Sequence, residues 1–230
     1  MATTPGRTRS GAKAADPRGP IIDSFLALLA ERPFERIGLA DVADRAGVSL
    51  AELRASFGST FDILAGFMKR TDTLVLEGTG DDMAEQPARD RLFDALMRRL
   101  DVLAPHKAAI ASLARSARAH PQLAMGLNRL SVRSQQWMLA SAGIDTAGLK
   151  GAVRAQGLAL LFARVLKTFV ADDDPALSRT MAALDRELDK GGRALGLMDR
   201  LFRLARCGRR GARRPEPSAS PEPPAAPAAA

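Results

Sequence analysis

Apolar residues at Ile21, Ile22, Phe25, Leu26, Leu28 and Leu29 form a wide stripe at helical spacing, with Pro20 before it and Pro33 after it. This pattern predicts a first helix started by Pro20. A short second helix follows over 39–46, and Gly47-Val48 makes a turn. Ser49 with Glu52 three residues on is a capping box that starts a third short helix, ended by Gly58. Ser59 with Asp62 repeats the cap logic. Phe61, Ile63, Leu64, Phe67, Met68, Leu74 and Leu76 then continue a long fourth helix to the Gly78-Gly80-Asp81 break.

Beyond the break, proline marks the helix boundaries. Pro87 precedes Leu92, Phe93, Leu96, Met97, Leu100 and Leu103, and Pro105 precedes a shorter stripe through Ile110 and Leu113. Pro121 opens a helix that runs past Leu127, Leu130, Trp137 and Leu139 to a loop around Gly143 and Gly148. The stretch 151–170 is apolar nearly all round, as in a helix buried on several faces. Pro175 is expected to start the last helix, with Leu177, Met181, Leu184 and Leu188 on one face and a continuation through Leu195, Met198 and Leu201. No run of alternating β-branched residues breaks the series. The fold class expected is all-α. Two prominent apolar helices at 149–170 and 175–202 are expected to pack with a second copy as a four-helix bundle.

The segment 40–64 has a geometry of its own. Two short helices joined by a Gly-containing turn, with Val42, Ala43, Ala46, Val48 and Leu53 apolar, make a compact three-helix unit with the first helix. Leu50, Ala51, Arg54 and Ala55 fall on the outer face of the third helix. That is helix-turn-helix geometry, in which the second helix of the pair enters a DNA major groove. Ser49 would place its hydroxyl and the helix N-terminus on a phosphate. Arg54 would take a phosphate or a guanine, and Leu50 with Ala51 would meet thymine methyls. Glu52, Ala55 and Ser56 complete the contact set expected on this helix.

Charge changes this picture. The chain of 230 residues carries +8, and most of it sits at the ends. Residues 1–20 hold Arg7, Arg9, Lys13 and Arg18 against Asp16, and 201–230 hold six Arg against two Glu. Such ends suit a polyanion, and they suit an Arg-rich solubilising tail equally. Residues 39–60 have Arg45 and Arg54 against Asp41, Asp44 and Glu52, so the module is electrostatically weak by itself. The N-terminal arm offers compensation in a minor groove or on flanking phosphates.

The motifs here resemble the TetR family of bacterial regulators. The resemblance rests on Phe34 followed by Ile37-Gly38-Leu39, on Asp41-Val42-Ala43, on Ala46-Gly47-Val48-Ser49, and on Phe57 followed by Ile63-Leu64. It covers 21–70 in detail and the remainder by helix order and length. It implies a DNA-binding domain at 20–68 with the helix-turn-helix at about 38–57 and an effector-binding and dimerisation domain at 81–205. The flanking basic arm at 1–19, which lacks apolar periodicity, and the Arg- then Pro/Ala-rich tail at 206–230 are expected to be disordered on composition. The function implied is a homodimeric, cytoplasmic repressor on a double-stranded DNA operator, released by a small apolar effector. The family usually carries Tyr at the position of Arg54 and Lys at that of Thr60, so one charged phosphate anchor is replaced by a hydroxyl. A second, fainter resemblance, through Leu103-Ala104-Pro105-His106-Lys107 and 181–188, is to TetR-like proteins that assist ubiquinone biosynthesis by binding lipid without binding DNA.

Candidate chemistry adds little. Trp137, Met138, Met97 and Met125 are the residue types that line adaptable apolar pockets. His106 and His120 each adjoin a proline at a helix start and lack metal-ligand spacing. Asp172-Asp173-Asp174 reads as a helix cap. Cys207 lies in an Arg-rich stretch that favours the thiolate, and a single cysteine removes disulfides. No phosphate-binding Gly-rich loop, HExxH, G-x-S-x-G or paired-carboxylate constellation occurs, so neither an enzyme nor a cofactor or metal is expected. No apolar run of membrane-spanning length or signal-type N-terminus is read, which fits the cytosol.

Overall fold

The computed structural model of the chain describes residues 17–78 and 85–193, and all regular structure among them is helical. Helix α1 spans Arg18–Glu31, α2 Leu39–Ala46, α3 Leu50–Ser56 and α4 Thr60–Glu77. Helices α5 (Ala88–Leu103), α6 (Lys107–Ala119), α7 (Pro121–Ser141) and α8 (Gly148–Phe169) follow. A helix α9 occupies 178–193. The expected break at Gly80-Asp81, Cys207, the arm before 17, the tail at 206–230 and the apolar positions Leu195, Met198 and Leu201 lie outside the described residues.

Two boundaries differ from the sequence expectation. Helix α1 starts at Arg18, so Arg18 and Gly19 are helical rather than part of a disordered arm. Pro20 falls inside the first turn, where a backbone N–H has no intrahelical partner to lose. Pro175 does not start α9. It lies in a turn in which Asp174 accepts hydrogen bonds from the backbone N–H of Ala176 (3.0 Å) and Ser178 (3.3 Å), and Leu177 adopts φ 52°. Asp172, buried, accepts from the backbone N–H of Thr180 (2.8 Å) and from its hydroxyl (2.6 Å). These carboxylates cap the helix as the acidic cluster suggested. Hydrogen bonding holds both below the usual aspartate range.

The six apolar residues of the α1 stripe are all buried. They lie against α2, α4 and, most extensively, α6. Helix α6 accepts this close partner because its facing positions are small: Ala109, Ser112 and Ser116 are buried. Ser116 accepts from the Phe34 backbone N–H (3.1 Å), and the Ser112 hydroxyl donates to the Arg32 carbonyl (3.2 Å). The chain between α1 and α2 is thereby pinned to α6.

Helix α4 runs on past the three-helix unit and packs against α5 and α7. There Asp72 pairs with Arg99 of α5, and the Ser134 hydroxyl of α7 donates to Asp72 (2.6 Å). All three are buried, and the Arg99 guanidinium also lies 5.6 Å from the Phe162 ring centroid of α8. One polar cluster thus ties four helices. The hydrophobic core is continuous around it, from Ile21 and Phe25 to Phe169 and Leu184.

Candidate nucleic-acid interface

The turn between α2 and α3 depends on Gly47 at φ 65°, a left-handed conformation that costs an L side chain about 1–2 kcal/mol. Its N–H donates to the Asp44 carbonyl (3.3 Å), and the Val48 N–H returns to the Ala43 carbonyl (3.1 Å), closing α2 in the usual left-handed cap. Buried Val42, Ala43 and Leu53 form the inner side of the pair. Phe57, at the end of α3, nests against α4 at Gly66, where an added Cβ would stand 2.9 Å from the ring. This fixes which way α3 faces. Leu50 (57% exposed), Ala51, Arg54 and Ala55 all point outward, while Ser56 and Thr60 are half-buried at its C-terminal end.

Polar groups at the start of α3 are committed to one another. Glu52 N–H donates to the Ser49 hydroxyl oxygen (3.2 Å), and both the Ser49 N–H and its hydroxyl donate to the Glu52 carboxylate (2.8 Å each). The proton that a phosphate would need from Ser49 therefore goes to Glu52. These bonds hold the Glu52 carboxyl below its ordinary value. A carboxylate thus occupies the positive end of α3.

The surrounding cations divide into paired and unpaired. Arg45 is bound to Glu31 (2.7 Å), Arg32 to Asp41 (3.2 Å) and Arg70 to Asp23 (2.7 Å). Arg54 and Arg36 are exposed and make no ion pair among the described residues. Arg18 lies 4.9 Å from the Phe57 ring centroid, so the chain enters α1 beside the C-terminal end of α3. Neither this contact nor the Asp72–Arg99 pair was foreseen. The readable sign of the latter is a charged residue in register with an apolar stripe: Asp72 follows Leu64 and Phe67, and Arg99 lies between Leu96 and Leu103.

The residues proposed for an effector pocket do not converge. Met138 is fully buried in the core, Met97 packs half-buried against it, and Met125 (60%) and Trp137 (56%) are exposed. Of the four, Trp137 alone lines a cleft of about 670 Å³ between α4 and α7 with Arg18 and Phe57 at one wall. Among the described residues no three His, Cys, Asp or Glu side chains gather as a metal site, and no helix is long and apolar enough to cross a membrane.

No match is found among protein-family models or among curated protein sequences. Solved structures do match. The TetR transcriptional regulator from Nitrosomonas europaea superposes with a TM-score of 0.60 at 22% identity, over 76% of this chain and 97% of that one. A TetR transcriptional regulator from Rhodococcus sp. RHA1 gives 0.51 at 19% identity, over 76% and 95%. With its helical order and the helix-turn-helix at its N-terminal end, the chain has the TetR-like fold.

Proposed function

We propose that this protein is a DNA-binding transcriptional regulator that acts as a homodimer and responds to a small effector. The observation that carries the reading is the outward face of α3. Leu50, Ala51, Arg54 and Ala55 are exposed together on a helix oriented by buried Leu53 and Phe57, and Arg54 has no ion-pair partner among the described residues. Apolar groups reach thymine methyls and an unpaired guanidinium reaches guanine or phosphate, so this is a surface of the type that reads a major groove. Arg18, beside Phe57, adds a guanidinium at the same end of the helix.

Dimerisation is supported by apolar side chains left outward on the last helices: Leu149 (73% exposed) and Leu160 (51%) on α8 and Met181 (43%) on α9. A second copy related by a two-fold axis covers such a face and presents two α3 helices to two half-sites. Repression lifted by the effector is the finer form of the proposal.

The test is selection of bound sequences from random duplex DNA by the purified full chain, followed by a salt titration on the selected site. Enrichment of a two-fold symmetric site with log K falling against log salt is expected. Thr60→Lys, which adds a cation at the start of α4, should steepen that slope by roughly 0.9. A second reading, a lipid-binding protein of the same fold that leaves DNA alone, is favoured by the Glu52 carboxylate at the α3 N-terminus. Absence of DNA binding at about 50 mM salt, with lipid co-purifying, would decide for it.

A further inference from the structure

We infer that the cleft between α4 and α7 is a binding site for an amphipathic aromatic anion. Its volume, about 670 Å³, is in the range of small-molecule sites. Met68 and Leu76 of α4 and Leu130 of α7 supply apolar lining, and Trp137 stands at the cleft with 56% of its surface exposed. An indole left in that position offers a face to a flat ring, which packs on it in offset or edge-on geometry.

Charge selects the other end of the ligand. Lys69 and Arg133 both line the cleft, are exposed, and have no ion-pair partner among the described residues. The acids nearby are already engaged. Asp72 is bound by Arg99 and by the Ser134 hydroxyl, and Asp62 accepts the Gly58 backbone N–H (3.1 Å). With Asp72 neutralised by Arg99, cations outnumber free carboxylates in the lining and favour a carboxylate or sulfonate over a neutral ligand. The expectation of a purely apolar effector is thereby sharpened to one with an apolar ring system and an anionic group. As an effector site it rests on the regulator reading. The cleft itself is a property of the free chain.

Trp137 is the chain's one tryptophan, so its emission reports on this cleft. The full-length protein is titrated with 8-anilinonaphthalene-1-sulfonate, with the uncharged N-phenyl-1-naphthylamine as comparison. Saturable quenching at one probe per chain is expected, with tighter binding of the sulfonate than of the neutral probe. Lys69→Ala with Arg133→Ala, both surface changes, should weaken the sulfonate about tenfold and leave the neutral probe unchanged. Absence of saturable quenching, or equal sulfonate affinity in the double variant with an unchanged melting curve, would overturn the inference. DNA affinity measured separately without probe keeps the two readings apart. Loss of probe binding with DNA binding intact sinks the cleft alone, and probe binding without DNA binding sinks the regulator.

Discussion

The bonds that cap and aim the helix-turn-helix pair and those that join the distant helices of the body span different distances along the chain. In the pair, Gly38 N–H meets Asp41, Ser49 meets Glu52 and Gly58 N–H meets Asp62, all three or four residues apart. In the body, Arg99 meets Asp72 across 27 residues, Ser134 meets Asp72 across 62, and Arg89 of α5 meets Asp185 and Asp189 of α9 across 96 and 100. Local bonds aim α3. Long-range bonds hold the platform on which it stands. The two regions should therefore fail differently when cut.

The buried cluster gives the largest expected effect. Asp72→Ala strands Arg99 in the core, and breaking a buried pair from one side costs about 3–5 kcal/mol. Urea denaturation measures it. Asp72→Leu combined with Arg99→Met should recover most of the loss, because two apolar groups leave no charge unpaired. A single variant as stable as the parent would remove the cluster from the account of the platform.

Gly47→Ala comes next. It forces a side chain into φ 65° and should lower stability by about 1–2 kcal/mol. Ser49→Ala removes the hydroxyl that caps α3 and should cost about 1 kcal/mol. Both are read from denaturation midpoints, with far smaller effects expected than at Asp72. If Gly47→Ala outweighs Asp72→Ala, the division between aiming and holding is misplaced.

The smallest effect is in pH. Burial, with the nearby Arg70 guanidinium, holds His106 below its ordinary value of 6.5, against a weaker opposing pull from Asp23. Its ring lies edge-on to Phe67 at 5.4 Å. As pH falls through 6.5 the unfolded chain takes the proton before the folded one, so stability falls with acidification. His106→Gln should flatten that part of a melting-temperature profile. An identical profile in the variant would show that His106 is not responsible.

The same contrast explains what was legible in the sequence. Caps at Ser49 and Ser59, the Gly47 turn and the apolar residues Val42, Ala43, Leu53 and Phe57 act within a few positions of one another, so their spacing carried helix-turn-helix and its outward face. Helix order in the body followed from stripes and prolines. What did not follow was pairing between distant helices. Arg99 reads as one more arginine in a charged helix until α4 is laid beside it. Trp137 and Met138 are adjacent in sequence, yet α7 turns one outward and the other into the core. Pro175 misled because Asp174 uses the next backbone N–H groups for a turn of its own.

The central claim is that the outward face of α3 reads DNA. Arg54→Ala tests it most directly, since Arg54 is exposed, uninvolved in the core and without an ion-pair partner among the described residues. Affinity for the selected duplex is measured across a salt series alongside the melting temperature. The expected result is an unchanged melting temperature with binding weakened by about 1–3 kcal/mol and altered preference at one base pair, or uniform weakening with a shallower salt slope if Arg54 holds a phosphate. Equal affinity, slope and sequence preference in a folded variant would contradict the claim and leave the basic ends of the chain as the source of any binding.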